Sequence, residues 1–132
     1  MLYLNMKVRI ILFLLTILVV VGCTSSEEYA RERSEKLLKI YPPGTTTREA
    51  VQKEWGKIYP DFSAVQPDGG WERYENPYIR SKIIVIEKKI GREVSRIDRY
   101  WVPDGFMSLC YCWFYYDSTD HLIDAEWQYK SD

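Results

Sequence analysis

Two runs near the C-terminus constrain this chain more than any other feature: SLCYCWFYY at 108–116 and HLIDAEWQY at 121–129. Successive side chains of a strand point to opposite sides, so each run must present two faces. Asp117-Ser118-Thr119-Asp120 separates them with turn chemistry. A two- or four-residue loop there gives one register, pairing Tyr116 with His121. Phe114 then meets Ile123, Cys112 meets Ala125 and Cys110 meets Trp127, on an apolar face expected to be the core. The opposite face carries Tyr111, Trp113 and Tyr115 beside Leu122, Asp124, Glu126 and Gln128. A one-residue slip would mix the two sets, so the pattern itself favours this register.

A third strand is expected in REVSRIDRYWV at 92–102, ended by the turn signal Pro103-Asp104-Gly105. The elements before it read as helices. Ser25 and Ser26 suit a cap, Glu27 and Glu28 suit the first turn, and Pro42-Pro43-Gly44 stops the helix after about Ile40. Its apolar side is Ala30, Leu37, Leu38 and Tyr41. Thr46 and Glu49 have capping-box spacing for a second short helix, with Ala50, Val51 and Trp55 as its stripe and Gly56 as its end. The two make a helical hairpin. Residues 57–76 show no clear element, and Ile58, Tyr59, Phe62 and Trp71 are expected to pin this loop to the body.

Asn76-Pro77 then reads as N-cap plus Pro at the first helical position. Ile79, Ile83, Ile86 and Ile90 follow at helical spacing, and Gly91 closes the run. The β-branched run Ile83–Ile86 also allows a strand, but the start and stop signals favour a helix. The expected fold class is α+β: an N-terminal helical hairpin plus a third helix, packed on one face of a three-stranded antiparallel β-meander.

The N-terminus is a targeting signal. Lys7 and Arg9 precede Ile10–Val21, an apolar run broken only by Thr16. A membrane crossing needs roughly 20 apolar residues, so this run suits a cleaved signal better than a span. Val20-Val21-Gly22-Cys23 resembles a bacterial lipobox. The resemblance implies cleavage before Cys23 and lipid on its sulfur. The domains expected are a signal at 1–22, a tether at 23–26 and a single domain at 27–132. Thr24 rather than Asp follows the Cys; by the sorting rule of the Gram-negative lipoproteins it resembles, this implies the periplasmic face of the outer membrane.

Composition removes several function classes. Eighteen Lys+Arg against 19 Asp+Glu leave a net charge of −1, without the basic face of a nucleic-acid binder. One His and three Cys do not form a zinc constellation, so neither metal nor cofactor is expected. After residue 22 the chain has only four Leu but 18 aromatic residues, so aromatic rings must fill the core.

The candidate sites are few. Cys110 and Cys112 share a strand face about 6.6 Å apart, which suits two small buried residues better than a disulfide. His121 beside the turn lacks a placed nucleophile and reads as a turn-flanking polar residue. Asp124 and Glu126 share a face, a weak signal for carboxylate-pair hydrolysis. Tyr111, Trp113 and Tyr115 form the most informative surface, flanked by Asp124 and Glu126. They are either a docking face or a layer covered by the 57–76 loop or Trp71. Arg96 or Arg99 on the neighbouring strand is positioned to stack there.

Thr47, Val51 and Gly56 keep the spacing of a helix-turn signature, and FYYDSTDHLIDAEW matches a terminal hairpin. Behind a lipobox, these features resemble the SmpA/OmlA (BamE-like) lipoproteins. Gly44 departs by one position, and residues 57–92 have no counterpart. The resemblance implies a fold like that of the β-lactamase inhibitor protein. It also implies a non-catalytic protein-interaction lipoprotein of outer-membrane assembly or maintenance. Its partners would be the membrane, through Cys23, and a protein. An inhibitor or immunity-type lipoprotein that caps an enzyme is the second reading, and a small envelope hydrolase the third.

Overall fold

A computed structural model describes residues 26–55, 60–104 and 108–129. The signal run, Cys23, Gly56, Ile58 and Tyr59 lie outside the described residues. No helix among the described residues is long and apolar enough to cross a membrane.

The element order is α1 (Ser26–Ile40), α2 (Arg48–Glu54), β1 (Phe62–Val65), a 3-10 turn (Trp71–Arg73), α3 (Pro77–Ile90), β2 (Arg96–Asp104), β3 (Ser108–Tyr116) and β4 (Leu122–Tyr129). The fold is α+β with three α-helices among the described residues. The strands form one antiparallel sheet in the order β1-β2-β3-β4.

The sheet has four strands rather than the expected three. β1 lies inside the 57–76 segment, where sequence showed no element. Four residues, with Ser63 their one polar member and only Ala64 buried, are too short a run to carry a usable periodicity. They become a strand because β2 offers its edge, pairing Ser63 with Asp98 and Ala64 with Ile97.

The helices also divide differently from expectation: they cover both faces of the sheet. Leu37 and Tyr41 of the first segment and Val51 of α2 pack with Tyr100, Cys112, Phe114, Tyr116, Leu122 and Ala125. On the other side Ile79, Ile83 and Ile86 of α3 pack with Trp71, Ile97, Trp113, Tyr115 and Ile123. Neither face of β3 can be left in water, since both carry large rings. Each fully buried Ile contributes roughly 1.5–3 kcal/mol, so α3 is held to the sheet mainly by this seam.

The segment 77–90 is a helix. Asn76 accepts hydrogen bonds from the N–H groups of Tyr78 (2.9 Å) and Ile79 (3.4 Å), with Pro77 in the first turn. Gly91 ends it at φ 72°, a left-handed conformation that strains any residue with a Cβ. The cap of α2 falls one residue later than expected. Thr47, not Thr46, accepts from the Ala50 N–H at 3.2 Å, and Ala50 itself is exposed. Thr46 instead continues the sheet edge, its carbonyl accepting from Leu122 N–H at 2.8 Å.

The β3–β4 register differs from expectation. Tyr116 pairs with Leu122 rather than His121, and a bulge falls next to it, between Tyr115 and Tyr116. Beyond the bulge Phe114 pairs with Ala125, Cys112 with Trp127 and Cys110 with Tyr129. The bulge moves Leu122 to the α1–α2 face and Ile123 to the α3 face, the reverse of the simple alternation. Its cause is the turn. Asp117 Oδ1 accepts from Thr119 N–H, Thr119 Oγ1 and His121 N–H, which widens the loop to five residues. Pro103 and Asp104 likewise belong to β2 rather than to a turn.

Candidate functional site

The α3 face of the sheet is built of three rows of side chains, each running across the strands. The first is Ala64, Ile97, Tyr115 and Asp124; the second is Phe62, Arg99, Trp113 and Glu126; the third is Trp101, Tyr111 and Gln128. Burial falls along the series. Tyr115 is 0% and Trp113 1% exposed, whereas Trp101 is 48% exposed. The aromatic ladder is thus closed under α3 and Trp71 at two of its three rungs. The 57–76 segment contributes to the cover: Trp71 is buried in this core and donates its indole N–H to the Val94 carbonyl at 2.6 Å.

The polar atoms in these rows are satisfied by one another. Trp113 Nε1 donates to Gln128 Oε1 at 2.8 Å, and Gln128 Nε2 donates to Tyr78 Oη at 2.7 Å. Tyr115 Oη donates to Glu126 Oε1 at 2.6 Å, and Glu126 also pairs with Lys82 of α3. The Lys82 ammonium lies 4.7 Å from the Trp113 ring centre. Arg99 stacks as anticipated, 4.2 Å from the Tyr111 ring centre and 5.3 Å from that of Trp113. Asp61 holds it there with contacts of 2.6–3.2 Å. Trp113 therefore lies between two cations, each matched by a carboxylate. Arg96, the alternative, pairs with Asp120 at 3.3 Å.

Asp124 and Glu126 do share this face, but they face α3 instead of an open cleft. Asp124 is buried and lies 3.5 Å from Lys89. Burial raises its pKa, and Lys89 counters only part of that rise. Lys82 and Lys89, seven residues apart on α3, are the partners that sequence reading missed. Their spacing of two helical turns was the available signal.

The remaining candidates have structural surroundings. Cys110 and Cys112 are buried on the α1–α2 face and carry no disulfide. His121 Nδ1 lies 2.8 Å from Thr119 Oγ1, inside the turn that Asp117 organises. Burial opposes ionisation of Asp117, but hydrogen bonds from Thr119, His121 and Arg92 outweigh it and hold its pKa at about 2. On the α1–α2 face, the buried Asp98 carboxylate accepts from Arg48 Nε at 2.7 Å, Arg48 Nη2 at 3.2 Å and Ser63 Oγ at 2.6 Å. The nearby Tyr100 phenol is pushed up to about 12, first by burial and then by Asp98, so it stays protonated. A cleft of about 420 Å3 between α1 and β4 is lined by Tyr29, Glu32, Arg33, Lys36, Leu37, Ile40 and Trp127.

No protein-family model, no curated protein and no solved structure matches the chain.

Proposed function

We propose that this chain is a lipid-anchored envelope protein that works by binding a protein partner, not by catalysis. The observation that supports the reading most directly is the outer side of α3. On its inner side Lys82 pairs with Glu126 of the sheet, and Lys89 lies 3.5 Å from Asp124. Its inner positions are filled by Ile79, Ile83 and Ile86, yet Ile84 and Val85 are also apolar and lie exposed. Exposed β-branched residues lower helix propensity and gain nothing from the fold. Their placement side by side on a packed helix suits contact with another protein.

The acids that could drive hydrolysis are engaged elsewhere: Asp124 with Lys89, and Glu126 with Lys82 and Tyr115. The lipobox supplies the anchor, and α1 begins only three residues after Cys23.

Crosslinking mass spectrometry in native envelopes tests the reading. A protein partner should crosslink near α3 and be lost when Ile84→Glu and Val85→Glu are combined. Identical crosslinks for both forms would exclude this surface. Cys23→Ser should release or mislocalise the protein, and unchanged fractionation would refute the anchor.

A further inference from the structure

The third row of the α3 face is the open one, and its position in the domain is informative. Tyr78 in the first turn of α3 accepts from Gln128 of that row. Tyr29 in the first turn of α1 stacks on Tyr129 at 5.6 Å, and Tyr129 pairs with Cys110, next to Tyr111. The first turns of α1 and α3 therefore lie at the same end of the sheet, on opposite faces, level with Trp101 and Tyr111. Tyr29, Tyr78 and Trp101 are 42%, 52% and 48% exposed. They are all of the exposed aromatic residues among the described ones, and all three gather at this end. The far end is charged: Arg92 pairs with Asp117 and Arg96 with Asp120 around the β3–β4 turn.

Cys23 lies three residues before Ser26, the first residue of α1. Three residues reach at most about 10 Å. A lipid on Cys23 would therefore hold the aromatic end, and not the β3–β4 turn, against the bilayer. Tyr and Trp combine an apolar ring with a polar edge, the chemistry that favours the lipid headgroup boundary.

We infer that Trp101, Tyr78 and Tyr29 form a membrane-interface seat that holds the lipid-anchored domain upright, with its strands leading away from the bilayer. The seat rests on the lipoprotein reading of Cys23. Its occupant is the headgroup region of the membrane that carries the anchor. Ring insertion supplies the contact, since Arg99 at this end is already matched by Asp61, Glu28 by Arg31, and the acidic Glu27 offers nothing to an anionic headgroup. Acyl chains supply the affinity, and the rings fix orientation.

The test uses the full lipoprotein reconstituted in phosphatidylcholine vesicles with acyl chains brominated near the headgroup. Tryptophan emission should be quenched relative to unbrominated vesicles, and 1 M salt should leave the quenching unchanged. Trp101→Phe should lose most of the quenching while still floating with the vesicles, since Trp71 and Trp113 are buried, Trp55 and Trp127 are half-buried, and Trp101 is the exposed tryptophan among the described residues. Acylated protein whose quenching is absent, or is the same in Trp101→Phe, overturns the seat alone. So does a variant that keeps its quenching but loses a protein crosslink, which would make the row a protein contact. Mass spectrometry showing no acyl chain on Cys23 overturns anchor and seat together.

Discussion

Replacing Arg48 by Met should be among the most damaging single changes outside the apolar core. Asp98 is fully buried, and two of its three hydrogen bonds come from the Arg48 guanidinium. Methionine keeps most of the arginine stem but leaves the carboxylate with Ser63 as its remaining direct donor. Removing one member of a buried ion pair costs about 3–5 kcal/mol, because the other charge stays uncompensated. Against a typical total of about 5–15 kcal/mol that is a large share. At about 4 °C per kcal/mol for a domain of this size, the midpoint should fall by roughly 12–20 °C. Adding Asp98→Asn to Arg48→Met removes the stranded charge while an amide can still meet Ser63. The double variant should therefore regain at least about 2 kcal/mol over Arg48→Met alone. Urea unfolding of the protein, followed by tryptophan fluorescence, measures both steps. A loss below about 1 kcal/mol for Arg48→Met, or no recovery in the double variant, would refute the idea that this pair fastens α2 to β2.

Three further outcomes are expected. Burial raises the Asp124 pKa, so its contribution to stability is full below the unfolded pKa and is lost as pH rises through the raised folded value. Asp124→Asn should therefore equal or exceed wild type in stability at pH 7, with the difference shrinking as pH falls toward 4; a clear loss at pH 7 would show that the Lys89 pair outweighs burial. Asp117 has the opposite sign: its pKa is lowered to about 2, so its contribution is present above about pH 4 and disappears as pH falls through that value. Asp117→Ala should cost about 1 kcal/mol at neutral pH, because solvent screens part of the effect, and less in acid, as read from acid unfolding curves. Asn76→Ala removes the cap of α3 and should cost about 1 kcal/mol, while Asn76→Gly costs a few tenths; equal losses in thermal melts would refute the capping role.

The parts of the fold legible in sequence are those decided within one or two turns of chain. α3 was readable because Asn76, Pro77, the isoleucine spacing and Gly91 all act locally. The two-faced character of β3 was readable because alternation is a property of a single strand. The candidate site was only half legible for the same reason. Tyr111, Trp113 and Tyr115 do share a face, and Arg99 does stack on it, but nothing local states what lies above them.

Those answers needed the assembled chain. β1 exists because β2 offers it an edge, and the bulge beside Tyr116 exists because Asp117 gathers three donors. α3 crosses to the face opposite α1 and α2 because Trp113 and Tyr115 must leave water too. That step decided between an open ladder and a covered one, giving a layered core with one exposed row. By itself the sequence determined the type of the three helices and of β2, β3 and β4, and the demand for aromatic packing. Only the tertiary structure decided which rings are covered, since burial depends on partners distant in sequence that no local pattern encodes.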